Sequence, residues 1–342
     1  MWLGLFFLFF FFFFPEDYSL GGLGDSYYEY LLKQWLQTDK TENRFKIWYD
    51  ESAQGIKRVM VGHATSDGEE FTYVGKYRNS YLEPSMEHLA CFSGGMFALG
   101  SVTGASSTSE RDLALGRELT RTCRASYAHQ ASGFGPEKFR FSPSRIEPDG
   151  SSRYYILRPE YVESLFYLWR ITKEKKYREW GWDVVVALET HCRTPTGYSG
   201  LNDVSSGSPQ KNDVQESFFL AETLKYLYLL FCDDDVIPLD KFVFNTEAHP
   251  LPVFVPTAFS FPDPPDMRST DNSSANKDAI GDDGGDNGRD SLGDKDKSTP
   301  SDLLLTRLDR DRKREVETNA MPSRIPKLLG RSREERRKMI PR

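Results

Sequence analysis

The chain has 342 residues, of which 38% are hydrophobic, 14% aromatic and 28% charged, with a net charge of −7. That aromatic density excludes a wholly disordered chain, and the mild acidity argues against a nucleic-acid binder, whose phosphate contacts need a basic surface. Four cysteines are too few for a disulfide-built scaffold yet leave room for one structural bridge.

In chain order, residues 1–15 come first as an apolar, Phe-rich leader that ends at Pro15. It has no basic n-region and no small-residue cleavage site, and it is short for a membrane span. It reads either as the remnant of a signal anchor or as translated noncoding sequence, the second being favoured. From Asp25, the segment DSYYEYLLKQWLQ sets Tyr28, Leu31, Leu32, Trp35 and Leu36 on one helical face, with Asp25 where an N-cap would stand. Short hairpin strands are expected at EFTYVGKY, near 70–77. A second amphipathic helix follows through Leu115, Leu119, Cys123 and Tyr127. Pro159 suits the first turn of PEYVESLFYLWRIT, and YREWGWDVVVALETHC and DVQESFFLAETLKYLYLLF complete the helices. The last is apolar almost all round, which predicts burial on every side. KFVFNTEAHPLPV at 241–253 is a further hairpin candidate. Helix upon helix with little strand signal predicts an all-α body over 16–255.

Residues 256–342 change character. A Pro-rich stretch leads into an Asp/Gly/Ser/Asn tract and then a charged, mainly basic end. Such a tail has too little apolar surface to offset its ordering entropy and is expected to be disordered and solvated; the alternative reading is a basic interaction segment for nucleic acid or an acidic membrane. Asn272 heads an Asn-Ser-Ser sequon.

The chemistry-bearing residues are carboxylates. Glu222 lies inside the most apolar helix, where a lone charge is costly unless an ion pair, hydrogen bonds or a metal offset it. Glu160 and Glu163 share one face of a helix start, where the macrodipole alone would favour them. Glu247 follows Thr246 in a loop-like stretch. Inward carboxylates on separate helices suit general acid–base work or a hard cation with its waters. His63, His88, His129, His191 and His249 are scattered without zinc spacing, and no phosphate loop or nucleophile elbow is present.

At this point the chain resembles the class I α-1,2-mannosidases of glycoside hydrolase family 47. SLGGLGDSYYEYLLKQWLQ, MEHLACFSGGMFALG, LRPEYVESLFYLWRITKEKKYREWGWD, ESFFLAETLKYLYLLF and LDKFVFNTEAHPLPVF carry the resemblance in the family's order, from about Tyr18 to Phe254. It corresponds to the C-terminal half or so of the family's catalytic domain. It implies a partial (α/α)7 barrel with short β-hairpins, Ca²⁺ as cofactor, and inverting hydrolysis of terminal α-1,2-linked mannose from oligomannose N-glycans on glycoproteins. By the same resemblance Asp25, Glu137 and Glu160 match catalytic carboxylates, Glu160 being the general base. His88, Arg158 and Phe218 match sugar-binding residues. Thr246 matches the direct calcium ligand, with Glu163, Glu222 and Glu247 holding calcium-bound waters or substrate. Cys91 and Cys123 match the family's disulfide, in keeping with an oxidising compartment. Leu23, two residues before Asp25, matches the Golgi-type branch, which implies a monomeric lumenal domain in the Golgi or endoplasmic reticulum, membrane-associated through any N-terminal anchor.

The family's earlier catalytic Glu and its neighbouring Arg have no counterpart in the matched stretches. Residues 16–255 alone are therefore expected to be poorly soluble and to release no mannose. The alternative reading is a catalytically dead, lectin-like protein of glycoprotein quality control that uses the same pocket.

Overall fold

The computed structural model describes residues 17–254. The leader at 1–15 and the tail at 256–342, with its sequon, lie outside them. Helix α1 (Asp25–Gln37) buries Leu31, Leu32, Trp35 and Leu36, as the periodicity requires, but also Glu29 and Lys33. Its cap residue is Gly24, and Asp25 is the first helical residue, its carboxylate accepting from the Ser26 amide at 2.8 Å. Helix α2 (Asn43–Val59), which the apolar pattern did not single out, packs beside α1.

Antiparallel pairing is more extensive than the sequence suggested. The expected strand near 70–77 is β2 (Glu69–Val74), paired with β1 (Val61–Ser66) in the register Val61 opposite Val74. Then come β3 (Tyr77–Arg78) with β4 (Tyr81–Leu82), and a sheet in which β6 (Lys138–Phe141) lies between β5 (Ser85–Glu87) and β7 (Ile146–Pro148). The second expected hairpin forms β8 (Phe242–Phe244) and β9 (Pro250–Pro252). Several of these strands have two or three residues, too few for a period-two pattern to register. The body is helix-rich, as expected, and its short hairpins form four small sheets among the described residues.

At the core, α3 (Ser93–Thr103) runs between α4 (Ser109–Ala128) and α5 (Glu160–Thr172) and is buried from Ser93 through Ser101. Glycine permits this: a Cβ on Gly94 would lie 2.1 Å from Thr120 Oγ1, and one on Gly116 would lie 2.6 Å from the Gly94 carbonyl. Ser164 on α5 ties the layers, donating to the Cys91 carbonyl at 2.5 Å and accepting from the Gly95 amide at 2.8 Å.

Helix α6 (Lys176–Ala187) continues into a wide turn at Leu188–Cys192. The last apolar segment forms a π-turn at Phe219–Leu224 and then α7 (Lys225–Phe231). It is not buried all round, because Leu220 is 59% and Tyr228 61% exposed. Apolar composition states what can be buried; only the neighbours present decide what is.

Cys91, in the 3₁₀ turn Leu89–Phe92, is bonded to Cys123 on α4, while Cys192 and Cys232 are free. A bridge between residues 32 apart removes enough unfolded-chain entropy to stabilise the fold by about 3–4 kcal/mol. Peptide mapping without reduction should recover Cys91 and Cys123 cross-linked. Replacing both with Ala should lower the denaturation free energy by that amount, and a free, alkylated Cys91 would contradict the assignment.

Candidate active site

The 3₁₀ turn, the β6 approach and the start of α5 meet at one place. Pro159 precedes α5 at the cap position, so Arg158 and Glu160 flank the helix start from opposite sides. Glu137 reaches them just before β6, held by its amide on the Tyr154 carbonyl (3.0 Å) and by its carbonyl on the His88 amide (2.8 Å). Arg158 donates to both oxygens of Glu137, Nε to Oε2 at 2.7 Å and Nη2 to Oε1 at 2.5 Å, and lies 3.5 Å from Glu160 Oε1 through Nη1. This fork matches carboxylate geometry and fixes both partners. The Phe218 ring centre is 5.8 Å from the Arg158 guanidinium, which gives the group an apolar wall.

Glu160 has a side chain only 12% exposed. Burial alone would raise its pKa, but the His88 hydrogen bond and the charges of His88 and Arg158 outweigh it and hold the carboxyl below the ordinary range. Its Oε2 accepts from His88 Nδ1 at 2.8 Å, and His88 Nε2 meets the Tyr127 hydroxyl at 2.6 Å. Burial pushes the Tyr127 pKa far up, so that hydroxyl keeps its proton. An ionised Glu160 accepts only, so His88 Nδ1 donates in that bond, while Nε2 is tied to the Tyr127 hydroxyl on the other side of the ring. His88 is 1% exposed with both nitrogens engaged. It stands behind Glu160, with Glu160 on one ring nitrogen and Tyr127 on the other.

A second group lies one turn further along α5. Glu163 Oε1 accepts from the Tyr226 hydroxyl at 3.3 Å and lies 3.6 Å from Lys33 Nζ, which itself donates to Glu29. One buried ammonium thus serves two carboxylates. Burial works against the Lys33 charge, but Glu29, Tyr167 and Glu163 hold its pKa above the usual lysine value. The surplus negative charge falls on Glu163, whose carboxyl is pushed up to about 8 by burial with Glu29, Glu160 and Glu222 nearby, against the pull of Lys33. Burial and the charges of Glu160, Glu247 and Glu29 likewise push Glu222 up to about 8. Among the described residues no cation stands within ion-pair distance of Glu222, so the ion pair considered from sequence is absent.

Thr246 and Glu247 occupy the turn between β8 and β9. The Thr246 hydroxyl is 3.1 Å from the Tyr30 oxygen, and no donor among the described residues reaches the Thr246 carbonyl. Glu247 is exposed, with His249 Nε2 at 3.4 Å. No three His, Cys, Asp or Glu side chains of the described residues converge on a common point. An ion here would accordingly rest on the two Thr246 oxygens and on water, an all-oxygen environment that suits a hard cation and not zinc.

Among the described residues the Asp25 carboxylate contacts Ser26, and Asp25 sits one turn before Glu29 on the same face of α1. Leu23, two residues earlier, has a positive φ of 76° and is 93% exposed. The residues that pattern reading missed are Glu29, Lys33, Tyr30 and Tyr127. A Glu–Lys pair four apart is the usual mark of a solvated helix face, and Tyr127 registered only as one more apolar position.

The sequence profile of glycosyl hydrolase family 47 matches residues 12–253. The chain is 54% identical over 238 residues to mannosyl-oligosaccharide alpha-1,2-mannosidase IA of Drosophila melanogaster, covering 69% of this chain and 35% of that protein. It is 49% identical to the human mannosyl-oligosaccharide 1,2-alpha-mannosidase IB, covering 69% of this chain and 36% of that protein. Among solved structures, the alpha-1,2-mannosidase from Trichoderma reesei superposes with a TM-score of 0.64 at 32% identity, over 70% of this chain and 53% of that one. The chain thus spans about a third of the length of the curated relatives it matches.

Proposed function

The chain belongs to glycosyl hydrolase family 47, and on that footing we propose that it carries the catalytic pocket of a glycosidase that removes terminal α-1,2-linked mannose from oligomannose N-glycans. The observation that carries the proposal is Glu160, a nearly buried carboxylate kept ionised by His88 and Arg158 at the start of α5. A charged, oriented carboxylate is what a general base for water requires.

Inversion needs that base and, across the sugar, an acid to protonate the leaving oxygen. Both Glu137 oxygens accept from Arg158, which ties Glu137 into a charged fork. Asp25, with only Ser26 on one oxygen, is the better acid candidate within this chain. Arg158 and Phe218 offer a hydrogen-bonding fork and a flat apolar wall to one sugar ring. His88 and Tyr127 orient the base.

Calcium is the cofactor in this reading. The hydroxyl and carbonyl of Thr246 would hold it, and Glu163, Glu222 and Glu247 would hold its waters. When bound, it supplies a fixed positive charge that orients water and sugar hydroxyls. The crowding that pushes Glu163 and Glu222 up to about 8 is what a divalent cation relieves. Among the described residues no helix is long and apolar enough to cross a membrane; secretory-pathway action, in the Golgi, rests on the relatives and on Leu23.

The test is mannose release from α-1,2-mannobiose. It is made on the chain itself and on the chain preceded by the N-terminal part of a close relative. Proton NMR should show β-mannose as the first product in the active form, EDTA should abolish release, and added Ca²⁺ should restore it. First appearance of α-mannose would refute inversion, and full activity after exhaustive chelation would refute the calcium assignment. Glycan binding without hydrolysis in both forms would establish the lectin-like alternative.

A further inference from the structure

The turn that carries Thr246 is held from three sides. Within the turn, Asn245 Oδ1 accepts from the amides of Glu247 (3.1 Å) and His249 (2.8 Å). From α7, Lys225 Nζ donates to the Ala248 carbonyl at 2.6 Å, at a residue with a positive φ of 55°. From α1, the Tyr30 oxygen lies 3.1 Å from Thr246 Oγ1 and accepts from the Thr246 amide at 3.4 Å. Asn245 and Lys225 therefore shape the backbone, and among the described residues Tyr30 alone reaches the hydroxyl.

We propose that Tyr30 is a positioning residue that turns the Thr246 hydroxyl so that its lone pairs face a bound hard cation. This rests on the calcium reading above and adds to it the residue that makes Thr246 a competent ligand. A hydroxyl has one proton and two lone pairs. To ligate a cation it must direct lone pairs at the ion and its proton away, which requires an acceptor on the far side. The amide N–H of Thr246 already points at the Tyr30 oxygen and marks that oxygen as an acceptor. In the proposed arrangement the Thr246 O–H donates to the same atom, 3.1 Å away, and the phenolic proton turns elsewhere. Both Thr246 oxygens are left open, since its carbonyl receives no donor among the described residues. Without Tyr30 the hydroxyl would rotate freely, and ordering it would fall to the ion.

The test is calorimetric Ca²⁺ titration of the full chain as the unsubstituted protein, Tyr30→Phe, Thr246→Val and the double variant, with melting curves in EGTA alongside. Outer-shell partners of a ligand set metal affinity by about 10–100-fold, and Tyr30→Phe should weaken binding by that factor. Its melting midpoint in EGTA should stay with the unsubstituted chain, because the ring and its packing are kept. In the Thr246→Val background Tyr30→Phe should add nothing further, the signature of action through that one hydroxyl. Unchanged Ca²⁺ affinity in Tyr30→Phe, or an equal loss in both backgrounds, would overturn the proposal. A merely structural Tyr30 would lower the EGTA midpoint and leave affinity alone, which also overturns it. If the unsubstituted chain and Thr246→Val both show no Ca²⁺ heat, the calcium reading itself fails and takes this inference with it.

Discussion

Replacing Glu160 with Gln is expected to lower mannose release by about 10²–10⁴-fold, the usual worth of a positioned general base. The substitution is isosteric. The carbonyl of the introduced amide would still accept from His88 Nδ1, so the shape of the pocket survives while the charge that pulls a proton from water is gone. Binding should change little, because Arg158 keeps its fork on Glu137. The loss therefore belongs in kcat and not in KM. Stability should fall somewhat, since His88 and Arg158 outweigh the burial cost of the Glu160 charge and both lose that charged partner. The measurement is steady-state kinetics on α-1,2-mannobiose in whichever form of the chain is active, with a melting curve as control. A kcat within tenfold of the unsubstituted protein would remove Glu160 from the base role.

Lys33→Met is expected to be the most damaging single change to stability. Removing one partner of a buried ion pair costs about 3–5 kcal/mol, because the other partner is left charged and unpaired. Here two carboxylates, Glu29 and Glu163, lose the same ammonium. The sign of the pH dependence follows from Glu163, whose folded pKa of about 8 stands above its ordinary value of 4.5. Between those values the folded state holds a proton that the unfolded state has released, so stability falls as pH rises through that window. Without Lys33 the carboxyls are harder still to ionise, and the slope steepens. Urea denaturation in EGTA should show a deficit that grows from pH 5 to pH 8. Adding Glu29→Gln to Lys33→Met should recover part of it, since one buried carboxylate is then gone. A pH-independent deficit below about 1 kcal/mol would mean that Lys33 behaves as an exposed pair does.

Much of the site was legible, but by two different routes. Spacing and composition pointed to Glu160 and Glu163 on one helical face and to Glu222 as a charge in apolar surroundings. Glu137, Arg158 and Phe218 came only from resemblance, because nothing local in GFGPE or in ESFF marks a pocket. The structure joins Glu137 and Arg158 across 21 residues and His88 to Glu160 across 72. Such pairings are set by how the 3₁₀ turn, β6 and α5 pack, and no window of sequence contains them. His88 shows the same: the core closes over its ring, and its two nitrogens find Glu160 and Tyr127, neither of them near it in sequence.

The sequence by itself determined the helices with strong apolar stripes, the hairpin strands near 70–77 and 241–253, the set of carboxylates and the family. These depend on local periodicity and on motifs that survive in linear order. Tertiary structure decided which of those charges are buried, which are paired, and which face of an apolar helix stays open. Glu29 and Lys33 look like a solvated pair on paper and lie in the core because α3 and α5 cover them; Leu220 and Tyr228 look like core and stay 59% and 61% exposed. The reason is the same in both cases. Burial and electrostatic partnership are properties of what packs against a residue, and they act over ångströms in space, while a sequence pattern records only neighbours along the chain.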